Sequence, residues 1–214
     1  MNAIPVEELK ISKARLEALV DGIFAFAMTL LVTGLVIPTM SRSEAATELP
    51  ARIAGMQPEF VSFLIAFFIL AAFWLGHHRQ FHYVRTVDMW IVRITLCILA
   101  CVVLVPFTTN ISGDYDNVPI AVDLFHGNLF AIGSLFLVQW WYLAGHADVT
   151  TGGITRDGAA GGMRRSLLVP VVSATGLLVS FADPALSMLW YLLLIPGFFL
   201  VSHRHPAVEE KDGR

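Results

Sequence analysis

Charged residues are scarce in this sequence. Asp, Glu, Lys and Arg make up 14% of its 214 residues, whereas hydrophobic residues make up 56%, and the mean hydropathy is +0.69. Soluble domains carry about 25% charged residues, so the composition excludes an ordinary soluble domain. The formal net charge is -3. Without a basic excess the chain cannot neutralise a phosphate backbone, which excludes nucleic acid as a partner.

Cysteine is also nearly absent. Cys97 and Cys101 lie one helical turn apart in an apolar run, and a rigid helix holds such a pair away from disulfide geometry. The sequence has no P-loop, GxSxG, zincin or TVGYG segment, the last being the potassium-filter loop. The N-terminal MNAIPVEELKISKAR lacks the short apolar stretch of a signal peptide. We expect a non-enzymatic protein that keeps its first apolar helix.

Long apolar runs fill the chain instead. Spanning about 30 Å of hydrocarbon takes about 20 helical residues, and six runs of that kind are bounded by Pro, Gly or charge. The sequence therefore predicts an all-α integral membrane protein with a single six-helix domain over residues 1–214. The predicted helices cover residues 16–37, 58–79, 88–107, 119–143, 165–182 and 184–203.

The distribution of positive charge predicts the orientation, because Lys and Arg are retained on the cytoplasmic side. With six crossings, both termini lie on the same side of the membrane. Only Arg42 and Arg52 face the other side, and Arg93 lies within a helix. We therefore expect both termini to be cytoplasmic. The residues sharing their side are Lys10, Lys13, Arg15, Arg79, Arg85, Arg156, Arg164, Arg165, Arg204, Lys211 and Arg214.

The first predicted helix combines an ionisable residue with a mixed stripe. Asp21 lies inside an apolar run, where a carboxylate normally faces a bundle interior or a water-filled path; alternatively it pins the helix end at the headgroups. At about 100° per residue, small, hydroxyl and bulky groups fall on one stripe. Such a stripe suits a pore wall and equally suits close helix packing. Its members are Gly22, Phe26, Thr29, Thr33 and Val36, with Leu30 and Ile37 at the margin.

A histidine-rich segment follows the second predicted helix. In FWLGHHRQFHYVRTVD, His78 and His82 are spaced i, i+4 on one helical face, as metal ligands can be. No second His or carboxylate cluster of that kind occurs in the sequence. A hydrogen-bonded network between helices is the other interpretation, and histidine makes it responsive to pH. We predict the network and no metal site.

These residues resemble the transmembrane protein 175 family of potassium channels. Its RxxxFSD signature is matched by RLEALVD, in which Arg15 and Asp21 hold the two charged positions and Leu19 and Val20 replace Phe and Ser. The run W-x-x-HHRxF beginning at Trp74 resembles the end of the family's second helix. The stretch VPFTTNISGDYDNVPIAV resembles the turn after its third.

The resemblance implies a homotetramer with the first helix lining the pore. Apolar side chains form the constriction in that family, and the matching positions are Phe26 and Leu30, beside Thr29, Thr33 and Gly22. Phe26 replaces the usual aliphatic residue. We therefore expect low conductance or altered selectivity.

A structural network around the signature is also expected. Arg15 and Asp21 lie about 120° apart on a helix, so each should bond toward Trp74, His77 or Asn110 rather than to the other. The full set for this network is Arg15, Asp21, Trp74, His77, His78, Arg79 and Asn110.

The leading hypothesis is a potassium-permeable leak channel of a bacterial plasma membrane. It needs potassium ions and a lipid bilayer but no cofactor. One alternative is a proton-coupled carrier or proton pathway using Asp21 and the histidines. The other is a membrane enzyme with a histidine-bound metal.

Overall fold

The computed structural model describes residues 11–37 and 39–193 of the chain. Within those residues all regular elements are helical, and the one β-type pairing is an isolated bridge between Val84 and Thr150. The predicted all-α class is confirmed. In chain order the elements are α1 (Lys13–Leu30, continued by the 3-10 turn Leu31–Gly34), α2 (Arg42–Gly55), α3 (Gln57–His82), α4 (Met89–Asp114), α5 (Pro119–Gly145), α6 (Arg156–Ser180) and α7 (Pro184–Leu189, continued by the 3-10 turn Trp190–Leu193).

Five helices are long and apolar enough to cross a membrane, namely α1 with its 3-10 turn, α3, α4, α5 and α6. The helices α3, α4 and α5 contain 26, 26 and 27 residues, so each is about 40 Å long at 1.5 Å per residue. The sixth predicted crossing, residues 184–203, begins at Pro184 in α7. Its residues 194–203 lie outside the described part of the chain. Six crossings and cytoplasmic termini therefore stay predictions.

Local side chains define where several helices begin. At the start of α4, Asp88 Oδ1 accepts a hydrogen bond of 2.8 Å from the backbone N–H of Ile91. Ser12 and Thr155 cap α1 and α6 in the same way. Each cap satisfies one of the backbone donors that a first turn leaves free. Pro119 opens α5, where its missing N–H removes no helical bond.

The helix α4 extends to Asp114, seven residues beyond its predicted end at residue 107. The added stretch is polar, but its hydroxyl groups bond to the helix itself. Thr108 and Thr109 donate to the carbonyl oxygen of Val105, and Ser112 donates to that of Thr109. These bonds satisfy the polar groups without ending the helix.

The helix α6 begins at Arg156, nine residues before its predicted start at residue 165. Its first turns lie in the glycine-rich stretch that reads as a loop from composition. Gly162 is in contact with the Trp140 indole of α5, since a Cβ built at Gly162 would lie 1.9 Å from Trp140 Cε2. Close packing of α6 on α5 explains why this stretch is helical.

The short helix α2 was not anticipated. Ser41 and Glu44 form a capping box at its start: the Ser41 N–H donates to Glu44 Oε2 at 2.8 Å, and the Ser41 hydroxyl accepts from the Glu44 N–H. The first of these bonds is the main reason that the pKa of the Glu44 carboxyl is lowered. None of the α2 side chains is buried. The capping box explains a helix in a segment with little apolar surface to bury.

Buried apolar side chains form two clusters. The central cluster joins α1, α3, α4 and α5, and includes Phe24, Phe73 and Phe136. The end cluster lies where α1 and α4 begin and where α3 and α5 end. Its members are Leu16, Phe81, Val84, Ile91, Val92, Leu143 and Val149.

Candidate functional site

One side of α1 packs into the protein and the other is uncovered in the single chain. The buried side carries Leu16, Val20, Phe24 and Ala27, each at most 2% exposed. The predicted stripe lies on the other side, where Phe26 is 62% exposed. Leu30 is partly buried at its margin, and Gly22, Thr29 and Thr33 are exposed.

The two threonine hydroxyls of the stripe are bonded to the helix backbone. Thr29 Oγ1 donates to the carbonyl oxygen of Phe26 at 2.8 Å, and Thr33 Oγ1 donates to that of Leu30 at 2.6 Å. A hydroxyl that donates its proton in this way keeps its oxygen lone pairs as acceptors. Both oxygens can therefore face a cation on the uncovered side of α1.

Asp21 is joined to α3. Trp74 Nε1 donates a hydrogen bond of 2.8 Å to Asp21 Oδ1, so a carboxylate inside an apolar helix has a charge-assisted partner. Arg15 is exposed on the first turn of α1. Among the described residues, its side chain bonds to none of Asp21, Trp74, His77 or Asn110. The expected bond from Arg15 to Trp74, His77 or Asn110 is therefore corrected. Arg15 lies on the exposed side of α1, away from the helices that pack on it.

The three histidines of α3 contact different neighbours. His77 is 3% exposed and stacks on Phe81 with ring centroids 4.0 Å apart. His78 lies against Trp74 at 6.4 Å, and His82 lies edge-on to Tyr83. No set of three His, Cys, Asp or Glu side chains in the described residues converges as a metal site would require. Arg79 is exposed on the same turn of α3.

Asn110 lies at the C-terminal end of α1, whereas Asp21 is in the middle of that helix. A Cβ built at Gly34 would lie 1.9 Å from Asn110 Oδ1, so the asparagine packs on the 3-10 turn after α1. Gly34 is 13 residues beyond Asp21, about 20 Å along a helix. Asn110 is therefore not a partner of Asp21 or Arg15, and its expected place in that network is corrected. The physical reason is that α4 stays helical past residue 107 and carries Asn110 to the far end.

A family model and a solved structure both match this chain to TMEM175 potassium channels. A sequence model of the family described as endosomal/lysosomal potassium channel TMEM175 matches residues 15–106. The crystal structure of a lysosomal potassium-selective channel TMEM175 homolog from Chamaesiphon minutus superposes with a TM-score of 0.77, at 26% identity, over 90% of this chain and 98% of that one. The predicted resemblance to the TMEM175 family is confirmed. The matched span includes Asp21 and Trp74 but ends before Asn110.

Two relatives of this chain are named as potassium channels. One, from Streptomyces collinus, is 28% identical over 133 residues, which cover 60% of this chain and 63% of the relative. The other, from Chamaesiphon minutus, is 31% identical over 133 residues, covering 61% and 65%. The alignments thus span less than two thirds of either relative.

Sequence reasoning missed a buried polar cluster in the second half of the chain. His126 is fully buried in α5, with Nδ1 2.8 Å from Tyr191 Oη and Nε2 2.9 Å from Ser187 Oγ. Tyr191 in turn donates to Ser173 Oγ at 3.2 Å. Gly176 leaves room for the ring, since a Cβ there would lie 2.6 Å from His126 Cε1. A lone histidine in an apolar helix was the available signal.

Proposed function

We propose that this chain is the subunit of a homotetrameric, potassium-permeable leak channel in a bacterial plasma membrane. The pore is lined by α1 from each subunit, and Phe26 and Leu30 form an apolar constriction in place of a carbonyl filter. The observation that carries the proposal is the uncovered side of α1, which holds exposed phenyl and hydroxyl groups on a helix otherwise packed into the protein.

The chemistry of that side fits a narrow cation path. Thr29 and Thr33 offer oxygen lone pairs that partly replace the hydration shell of a cation. The ring of Phe26 and the side chain of Leu30 exclude water when four copies converge, which sets a barrier to ions by dewetting. Because a phenyl ring is wide, the closed constriction should pass few ions.

Charged and polar groups outside the stripe hold α1 in place. The hydrogen bond from Trp74 to Asp21 acts at the middle of α1, and the contact of Asn110 with Gly34 acts at its C-terminal end. Two fixed points on a helix restrict its rotation, so the uncovered side keeps one direction. We assign these residues a positioning role rather than contact with the ion.

Ion flux tests the proposal directly. Purified protein in proteoliposomes should pass potassium in preference to sodium, and Phe26→Ala and Leu30→Ala should raise the flux and reduce the preference. Phe68→Ala is the matched control, because Phe68 is 59% exposed but belongs to α3. It should leave the flux unchanged.

The oligomeric state is measured on the same samples by light scattering in detergent. Absence of flux from a folded tetramer would contradict the channel, and equal effects of Phe26→Ala and Phe68→Ala would contradict the pore position. The carrier alternative predicts a different result: saturable flux coupled to a pH gradient. The pH dependence of the same assay therefore distinguishes the two.

A further inference from the structure

Polar side chains occupy a level between the two apolar clusters. On α3, Phe73 belongs to the central cluster and Phe81 to the end cluster. His77 and Gln80 lie between them. The buried side chains of α3 thus change from apolar to polar and back to apolar within about two turns. His77 and Gln80 therefore lie in the interior between the two apolar clusters.

The helices α4 and α5 repeat this pattern. On α4, Val92 is in the end cluster and Ile98 in the central cluster, with Thr95 between them. On α5, Phe136 is in the central cluster and Leu143 in the end cluster. Gln139 lies between those two. Three helices therefore contribute to one polar layer, which consists of His77, Gln80, Thr95 and Gln139.

The polar layer is buried and incompletely bonded. His77 and Gln80 are 3% and 5% exposed, and Thr95 and Gln139 are 0% exposed. Five of their buried side-chain atoms have no hydrogen-bond partner among the described residues: His77 Nε2, Gln80 Oε1, Thr95 Oγ1, and both Oε1 and Nε2 of Gln139.

Direct contacts bring α3 and α5 together at this level. Gln80 Nε2 donates a hydrogen bond of 3.0 Å to the carbonyl oxygen of Phe136, and the His77 ring lies edge-on to the Phe136 ring with centroids 6.3 Å apart. Gln139 is three residues beyond Phe136, so it lies on the same face of α5.

Thr95 differs from the other buried threonines of α4. Thr108 and Thr109 donate their hydroxyls to a carbonyl of their own helix, whereas the Thr95 hydroxyl does not. The Thr95 hydroxyl is therefore available to a partner in the polar layer.

We propose that the polar layer is a binding site for ordered internal water between α3, α4 and α5. An unpaired buried polar group is destabilising because it has lost its hydrogen bonds to solvent, so five such atoms would be costly if the layer were dry. A buried water makes about three hydrogen bonds, and about two waters are enough for these five atoms. Amide, hydroxyl and imidazole groups supply both donors and acceptors, as water requires.

A metal ion fits the layer poorly. It contains no carboxylate or thiolate to balance a cation, and only one of its five free atoms is an imidazole nitrogen. The neutral amide, hydroxyl and imidazole groups of the layer both donate and accept hydrogen bonds, and water does the same.

Hydroxyl-radical footprinting of the intact protein, with an X-ray pulse and mass spectrometry, tests the site. Radicals formed from bound water oxidise adjacent buried side chains. His77 should be labelled several-fold faster than His126, the matched control, which is equally buried but has partners at both ring nitrogens. Equal, slow labelling of the two histidines would overturn the proposal.

The thermal midpoints of two variants supply a second test. A hydrated layer and a dry layer predict shifts of opposite sign. If water bonds to Thr95 and Gln139, Thr95→Val and Gln139→Leu each lower the thermal midpoint, by about 2–4 °C for each bond lost, and reduce the labelling of His77. If the layer is dry, each variant removes an unpaired group and raises the midpoint. A raised midpoint therefore contradicts the site, and the wild-type footprint decides the matter if a variant does not fold.

Discussion

Asp21 and Trp74 show how a carboxylate inside an apolar helix is matched by a donor on its neighbour. A carboxylate inside an apolar membrane helix normally finds a partner on a neighbouring helix. The sequence predicted Trp74 among three candidate partners, and the structure places its indole N–H 2.8 Å from Asp21 Oδ1. Arg15 and Asn110 could not be placed from spacing, because their positions depend on helix packing and on the length of α4.

Loss of the indole donor should destabilise the protein slightly. Trp74→Phe keeps an aromatic ring but removes the hydrogen bond to Asp21. We expect a loss of about 1 kcal/mol, at the low end for a bond to a charged group because both side chains are exposed. The thermal midpoint should then fall by about 2–4 °C.

Trp141→Phe is the control for this change. Trp141 is 67% exposed, and among the described residues its indole makes no hydrogen bond. Replacing Trp141 should leave the thermal midpoint at the wild-type value. Identical midpoints for the two variants would show that the bond to Asp21 contributes nothing to stability.

At the scale of an element, α6 shows that composition can mislead. Its first turns contain three glycines of the GGITRDGAAGG stretch, Gly158, Gly161 and Gly162, a composition typical of a loop. Gly162 nevertheless allows α6 to approach the Trp140 indole, whose Nε1 donates to the carbonyl oxygen of Ala159 at 2.9 Å. Tertiary packing therefore outweighs the low helix propensity of glycine.

Adjacent glycines in α6 should respond oppositely to alanine. Gly162→Ala would place a methyl group 1.9 Å from Trp140 Cε2, and we expect a destabilisation of about 1–3 kcal/mol from overpacking. Gly161→Ala meets nothing within 4 Å, so it should stabilise the helix by about 0.5–1 kcal/mol. Thermal unfolding of both purified variants measures the difference. Two shifts of the same sign would contradict the close contact of α6 with α5.

At the scale of the whole molecule, the orientation in the membrane follows from charge. The positive residues predict that the α5–α6 loop is cytoplasmic and that α2 lies outside. This orientation stays a prediction.

Thiol labelling of intact cells tests the orientation. In a variant without Cys97 and Cys101, Ala46→Cys in α2 should react with a membrane-impermeant maleimide. Ala147→Cys in the α5–α6 loop should react only after the cells are opened. Both alanines are exposed, so accessibility within the fold is matched. The reverse pattern would show that the termini are outside.

The all-α membrane class, the approximate positions of the first five spans and the chemical character of the α1 stripe could be predicted from the sequence. These properties follow from local hydropathy and from the helical period, which each segment carries within itself. The tertiary structure was needed to show which side of α1 is uncovered, that Asn110 packs on Gly34, and that His77, Gln80, Thr95 and Gln139 are buried between the two apolar clusters. Those facts depend on contacts between segments far apart in the chain, and on how far α4 and α6 continue. Helix packing determines both, and the sequence of a single helix does not contain it.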